Sequence, residues 1–278
     1  MFTNACLVTA EHVELFRSYP PRDIEVSVYG ATRETYEAVT RRPGSYDAFV
    51  RGLDLLLGSG VPVRLKAMAL RSTVHELDEI SRFCRERTVD YYRFDPLLHL
   101  RFDGDPARNA EIRAERLSAA EVVAVERADA ERFGALRRGC AEGELFVRDA
   151  EHARCDHLFR CGAGQGSFTV GHDATFRLCS SLRHPDTVFA LRADPERPGS
   201  LCPGALREAW EEWVPRVRDL RGTNPEFLEK CRKCGIVNLC LWCPAHAALE
   251  TGSMDDWVEY FCEVAHARAE ALRGESGP

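Results

Sequence analysis

No apolar run in this 278-residue chain approaches the roughly 20 residues that span a bilayer; stretches such as Leu53 to Leu57 stop at Gly58. A membrane helix is therefore not expected. A secretory signal is not readable either: Met1-Phe2-Thr3-Asn4 has no cationic stretch followed by an apolar one, and Glu11 and Glu14 come early. The expected compartment is the cytoplasm. Positive charge is in short supply, with 37 Lys and Arg against 44 Asp and Glu and a net charge of −7. That balance excludes a broad basic face able to neutralise phosphates, so nucleic acid is not an expected partner. With 45% hydrophobic, 9% aromatic and 29% charged residues the chain is neither disordered nor fibrous, and it is long enough for one large domain or two modest ones.

Cysteine is the residue in excess. Twelve in 278 residues are too many for incidental core use and too sparse for a small disulfide scaffold. Cys6, Cys84 and Cys140 stand alone, and the other nine fall from Cys155 onward. The two halves differ in pattern as well. Up to about residue 104, short β-branched runs alternate with amphipathic helical stretches, as expected of βα units around a parallel sheet.

Four strands are predicted there: Met1 to Ala5, Ile24 to Val28, Val61 to Leu70, and about Asp90 to Phe94. Between them, Thr9 is placed to cap a helix carrying Val13, Leu15 and Phe16, and Ser45 one carrying Phe49, Leu53, Leu56 and Leu57; a third helix carries Leu77, Ile80 and Phe83. Residues 105–150 read as solvated connecting helices, with a capping box at Ser118-x-x-Glu121. Beyond them come a glycine-rich turn at Gly162, Gly164 and Gly166, short strands at Ser167 to Val170 and Thr175 to Leu178, and a helix from Leu206 to Val214.

The dense cysteines read Cys155-x5-Cys161-x17-Cys179, then Cys231-x2-Cys234-x5-Cys240-x2-Cys243, then eighteen residues to Cys262. Paired thiols on one short loop suit tetrahedral thiolate sites. A zinc ribbon separates its two CxxC knuckles by about 15–20 residues, whereas the gap here is five. So short a gap favours neighbouring thiols serving two different centres, as in ferredoxin runs. Iron–sulfur ranks first, zinc second, and disulfides, which need an oxidising compartment, third. Arg154, Arg160, Lys230, Arg232 and Lys233 flank the thiols and would stabilise a negatively charged cluster, although each alone reads as a solvated charge. Cys202 has no spaced partner. Tyr29, Tyr36, Trp242 and Trp257 are pocket candidates, with core as the commoner role of such aromatics.

This arrangement resembles the SPASM extension of radical S-adenosylmethionine enzymes, the group that matures anaerobic sulfatases and ribosomally made peptides. The family pattern is a Cys, a Gly about a dozen residues on, a further Cys, then CxxCx5Cx3C and a distant Cys. Cys161, Ala174 and Cys179 fill the first element, Cys231 to Cys243 the second, and Cys262 the last. Ala174 stands where Gly is usual, and Cys240-x2-Cys243 is one residue short. The resemblance implies two auxiliary [4Fe–4S] clusters, one on Cys155, Cys161, Cys179 and Cys243, the other on Cys231, Cys234, Cys240 and Cys262. Neither would have an open iron, which suits electron transfer.

In the first half, Thr3-Asn4, Ser27-Val28-Tyr29-Gly30-Ala31-Thr32, Glu34-Thr35-Tyr36 and Pro43-Gly44-Ser45 look like βα units of the radical SAM partial barrel. Barrel chemistry sits at the C-terminal ends of strands, where Asn4, Ser27 and Lys66 are expected; by resemblance Ser27 and Lys66 would contact S-adenosylmethionine. The implied fold is α/β: a partial TIM-like (β/α) radical SAM barrel over 1–104, a helical connector over 105–150, and a small α+β SPASM iron–sulfur domain over 151–278.

The family's CxxxCxxC motif, whose three thiolates leave one iron open for S-adenosylmethionine, is missing from these 278 residues. The glycine-rich methionine-binding segment is missing too. The expectation is that both lie upstream of Met1, leaving Phe2 to Ala5 as an uncovered sheet edge, and that the chain alone does not cleave S-adenosylmethionine. The resemblance implies the C-terminal part of an enzyme that modifies a peptide or protein side chain, served by a small electron donor such as flavodoxin or ferredoxin. The alternatives are a non-enzymatic two-cluster electron-transfer or peptide-binding protein, and a zinc-stabilised structural module.

Overall fold

The computed structural model describes residues 1–88, 92–138 and 156–274. The chain divides into two compact units, one formed by Met1–Leu98 with Ala110–Val125, the other by His99–Asn109 with Glu126–Pro278. The 105–150 segment thus contributes to both.

The first unit is built on four parallel strands in the order β1 (Phe2–Thr3), β2 (Ile24–Val28), β3 (Val63–Met68) and β4 (Tyr92–Asp95). Alternation along β2 buries Ile24, Val26 and Val28 and turns Glu25 and Ser27 to the opposite face. On β3, Val63, Leu65 and Ala67 are buried, with Arg64, Lys66 and Met68 between them. Helices α1 (Ala10–Ser18), α2 (Arg33–Thr40), α3 (Ser45–Leu57) and α4 (Leu77–Arg87) occupy the crossovers. Their apolar stripes supply Tyr36, Phe49, Leu53, Leu56, Ile80 and Phe83 to the core, and the Tyr36 and Phe49 rings stack at 4.7 Å. Phe2 on edge strand β1 is 81% exposed.

Sequence expectation and structure differ at α2. The pattern leaves residues 33–40 as loop, yet they form a helix whose entry is fixed by a carboxylate distant in sequence. Glu76 accepts from Ala31 N–H at 3.2 Å, Thr32 Oγ1 at 2.7 Å and Thr35 Oγ1 at 2.5 Å. At α3 the N-cap is Gly44, held at φ +78°, and Ser45 is the first helical residue. Within the same helix, Gly52 lies against the Ala5 backbone so closely that a Cβ there would sit 1.9 Å from the Ala5 carbonyl oxygen.

The connecting helices are α5 (Pro106–Glu115), α6 (Ala119–Ala128) and α7 (Ala130–Arg138). The expected capping box at the start of α6 is present, with Ser118 N–H donating to Glu121 at 2.7 Å and Glu121 N–H to Ser118 Oγ at 3.3 Å. The second unit holds an antiparallel sheet, β5 (Thr169–Val170), β6 (Thr175–Arg177) and β7 (Phe189–Ala190). β7, two residues long, is too short to read from sequence. A helical path follows: α8 (Ala205–Glu208), a π turn over Ala209–Trp213, and α9 (Val214–Arg218). Helices α10 (Pro244–Thr251) and α11 (Glu259–Gly274) complete the unit. One core gathers Phe159, Phe176, Leu178, Val214 and Phe227, and a second gathers Phe133, Ile236, Leu239, Ala265 and Leu272. Among the described residues no helix is long and apolar enough to cross a membrane.

Candidate iron–sulfur centre

Four of the spaced cysteines meet in the second unit. A π turn over Phe227–Cys231 delivers Cys231, and the next turn brings Cys234 N–H to the Cys231 carbonyl at 3.3 Å. A 3₁₀ turn over Val237–Leu239 then presents Cys240, whose thiol donates to the Phe261 carbonyl at 3.8 Å. Cys262 follows in the first turn of α11. Cys231, Cys234, Cys240 and Cys262 together line one cavity of about 250 Å³, completed mainly by apolar side chains, Phe227, Ile236, Val237, Trp242, Trp257 and Val258 among them. Two of the four aromatic pocket candidates, Trp242 and Trp257, are thus in the wall; Tyr36 is core.

Three thiols of this cavity, Cys231, Cys240 and Cys262, resist ionisation. Burial pushes Cys231 up to about 12, with Cys240, Cys262 and Cys234 close enough to add to it. Burial likewise lifts Cys240 to about 11, and Cys262 is raised for the same reason. Thiols facing one another are costly as thiolates unless positive charge sits between them, and metal coordination supplies that charge and removes the protons. Among the described residues no group of three or more His, Cys, Asp or Glu side chains is arranged around a single metal ion. The thiols of this cavity instead wall a volume large enough to hold a cluster, and the donor set fits one.

A second group forms around Cys243. Burial raises its thiol, and Cys179 and Cys161 lie close enough to raise it further. Cys243 is the N-cap of α10, with Pro244 at the first helical position and His246 N–H donating to its sulfur at 3.4 Å. Cys155, expected in this set, lies outside the described residues, as do Cys140 and Arg154. Cys202 stands apart and donates to the Ala193 carbonyl at 3.0 Å. The ten described cysteines are all free thiols.

Of the flanking cations, Lys230 lies 4.9 Å from the Trp257 ring and 3.5 Å from Glu226, and Lys233 pairs with Glu229 at 2.5 Å. Arg232 is buried, its guanidinium 4.6 Å from the Phe227 ring centre and bonded to the His157 carbonyl. Sequence reading missed a further cation. Arg268, on α11 and almost fully buried, pairs with the equally buried Glu126 and sits near enough to Cys240 to favour its thiolate. It also missed His99 and His246, whose rings stack at 3.6 Å, His246 being the residue whose amide donates to Cys243.

The three residues expected at strand ends all lie in the first unit. Asn4 follows β1 directly, its side chain accepting from Cys6 N–H at 3.2 Å. Ser27 is next to last in β2 and directly opposite Lys66 in register. Lys66 is two residues short of the end of β3, and its ammonium meets Asp95 at 2.5 Å and Glu25 at 4.0 Å. Ser27 and Lys66 thereby share one half-buried, polar face of the sheet with Glu25.

No protein-family model matches the chain. The AdoMet-dependent heme synthase of Methanosarcina barkeri is 23% identical over 266 residues, covering 90% of this chain and 70% of that protein. The protein of the same name from Nitratidesulfovibrio vulgaris is 23% identical over 84 residues, 30% of this chain and 23% of its own length. Among solved structures, native anSMEcpe with bound AdoMet and Kp18Cys peptide superposes with a TM-score of 0.60 at 13% identity, covering 99% of this chain and 73% of that one. The chain therefore has a mixed α/β fold on a parallel sheet, like that of anSMEcpe, and is similar in sequence to proteins named AdoMet-dependent heme synthase.

Proposed function

We propose that this chain carries the auxiliary-cluster part of a radical SAM/SPASM system acting on a peptide or protein side chain, with two [4Fe–4S] clusters. The reading rests above all on the way seven described cysteines, from 161 to 262, sort in space. Cys231, Cys234, Cys240 and Cys262 wall one cavity, while Cys161, Cys179 and Cys243 gather elsewhere; Cys155 would complete the second set. When bound, fully thiolate-ligated clusters supply one-electron transfer. The chain's own residues provide sulfur donors on tight turns, apolar walls that limit water, and buried cations at Arg232 and Arg268 that offset negative charge. A small reductant such as flavodoxin or ferredoxin would feed the centre, in a cytoplasm that keeps thiols reduced.

On the sheet, Asn4, Ser27 and Lys66 would contact S-adenosylmethionine, an ammonium and a hydroxyl side by side suiting its carboxylate and ribose. Because the 278 residues hold no CxxxCxxC, the chain by itself is expected to form no 5′-deoxyadenosine; product from the purified chain with reductant would refute this. The peptide substrate is supported by the likeness to a structure solved with a peptide. A second reading, a tetrapyrrole as substrate, is favoured by two relatives named as heme synthases.

Anaerobic reconstitution tests the centre. About eight irons per chain are expected for two four-iron clusters, with roughly half lost in Cys262→Ala and in Cys179→Ala. Stoichiometric zinc on colourless protein, or no iron, would refute it. Quenching of tryptophan emission by a cysteine-containing peptide but not by a porphyrin separates the two substrate readings.

A further inference from the structure

Arg268 is 3% exposed and lies on α11, the helix that carries Cys262. Its Nε and Nη2 donate to Glu126 at 2.9 and 2.7 Å, and its Nη1 donates to the Leu239 carbonyl at 2.9 Å. Glu126, 1% exposed, also accepts from Arg132 at 3.2 Å. Leu239 directly precedes Cys240. One buried guanidinium thus links the backbone behind one thiol of the cavity to the helix that presents another. It also has a direction: the arginine, and not the glutamate, bonds the segment bearing Cys240, so the positive end of the pair faces that thiol.

A bare structural tie could be apolar at equal or lower cost, since desolvating two charges is expensive and well-packed hydrophobic residues often replace a buried pair without loss. What an apolar tie lacks is a field. A cluster with four thiolate ligands is negative and becomes more so on reduction, so a cation held in a low-dielectric surround stabilises the reduced form. We infer that Arg268 is a positioning residue that fixes Cys240 against the Cys262 helix and raises the reduction potential of a cluster on Cys231, Cys234, Cys240 and Cys262, with Glu126 restraining that effect. The inference rests on the cluster reading proposed above.

Redox titration of the anaerobically reconstituted full chain, followed by electron paramagnetic resonance, tests it; the signal to follow is the one that Cys262→Ala abolishes. Arg268→Gln is expected to shift the midpoint to lower potential. Glu126→Gln keeps an acceptor for the guanidinium but removes the opposing charge, and is expected to shift it upward. Arg268→Lys, which keeps the charge, is expected to stay nearest the wild type. Shifts of opposite sign distinguish a field from loosened packing, which has no reason to move the potential both ways. Same-signed shifts, or none, overturn the inference. If Arg268→Gln fails to fold, Glu126→Gln decides: an upward shift supports the inference, and any other result overturns it. A wild-type chain that takes up no cluster overturns the cluster reading and this inference together, whereas a loaded cluster with an unmoved potential overturns this inference alone.

Discussion

Ala174 adopts φ +59°, in the left-handed region that costs an L-residue roughly 1–2 kcal/mol relative to glycine. It turns the chain between β5 and β6, where its N–H donates to the Gly171 carbonyl at 3.0 Å and its carbonyl accepts from Leu191 N–H at 3.0 Å. Glycine adopts that angle without a Cβ penalty, which suits the pattern this segment resembles. Ala174→Gly is therefore expected to stabilise the protein by about 1 kcal/mol, read as a higher urea midpoint with an unchanged slope; a lower midpoint would show that contacts of the alanine methyl outweigh the strain. The same residue shows what spacing can and cannot tell. The gaps between thiols mark which cysteines matter, because a tight turn places two sulfurs locally. They do not mark Arg268, whose carboxylate partner is 142 residues away.

At the scale of elements, periodicity found β2 at its observed bounds and four strands of a parallel sheet, since alternation within a few residues marks strands and the helices between them mark parallel crossovers. It missed α2 because that helix is anchored from outside. Burial works against the Glu76 carboxylate, but hydrogen bonds from Thr35, Thr32 and the Ala31 and Thr32 amides hold its pKa below the usual 4.5. A group whose folded pKa is lowered contributes stability above its unfolded pKa and loses it as pH falls through the folded value. Glu76→Gln is thus expected to cost about 1–3 kcal/mol at neutral pH, the range for a charged hydrogen-bond acceptor. The difference from wild type should shrink in urea melts run below pH 4.5, and a gap constant with pH would show that charge plays no part. Gly52 makes a steric counterpart. With its would-be Cβ 1.9 Å from the Ala5 carbonyl, Gly52→Ala must push α3 off the turn after β1. The expected loss is of the order of 1–3 kcal/mol or more, as for overpacking, seen as a fall in thermal midpoint.

At the scale of the molecule, the division of labour between the two units follows where each residue type lies. The sheet unit carries Asn4, Ser27 and Lys66, and the second unit carries all the described thiols of the proposed clusters. All four tryptophans, Trp210, Trp213, Trp242 and Trp257, also belong to the second unit, and two of them line the four-thiol cavity. Tryptophan emission therefore reports that unit and that cavity. Four half-buried thiols held close together oppose one another as thiolates without a positive core, and a ligand that binds only the folded state adds stability that grows with its affinity. Loading with iron and sulfide is expected to quench the emission and to raise its thermal midpoint by several degrees, because even about 2.7 kcal/mol follows from a ligand at a hundredfold excess over its dissociation constant. Stripping the iron with an oxidant and chelator should return both values to those of the unloaded chain. A Cys231→Ala chain, lacking one wall of the cavity, should show neither full quenching nor the full rise, and a loaded wild type whose midpoint fails to move would mean that the cavity folds equally well without the cluster.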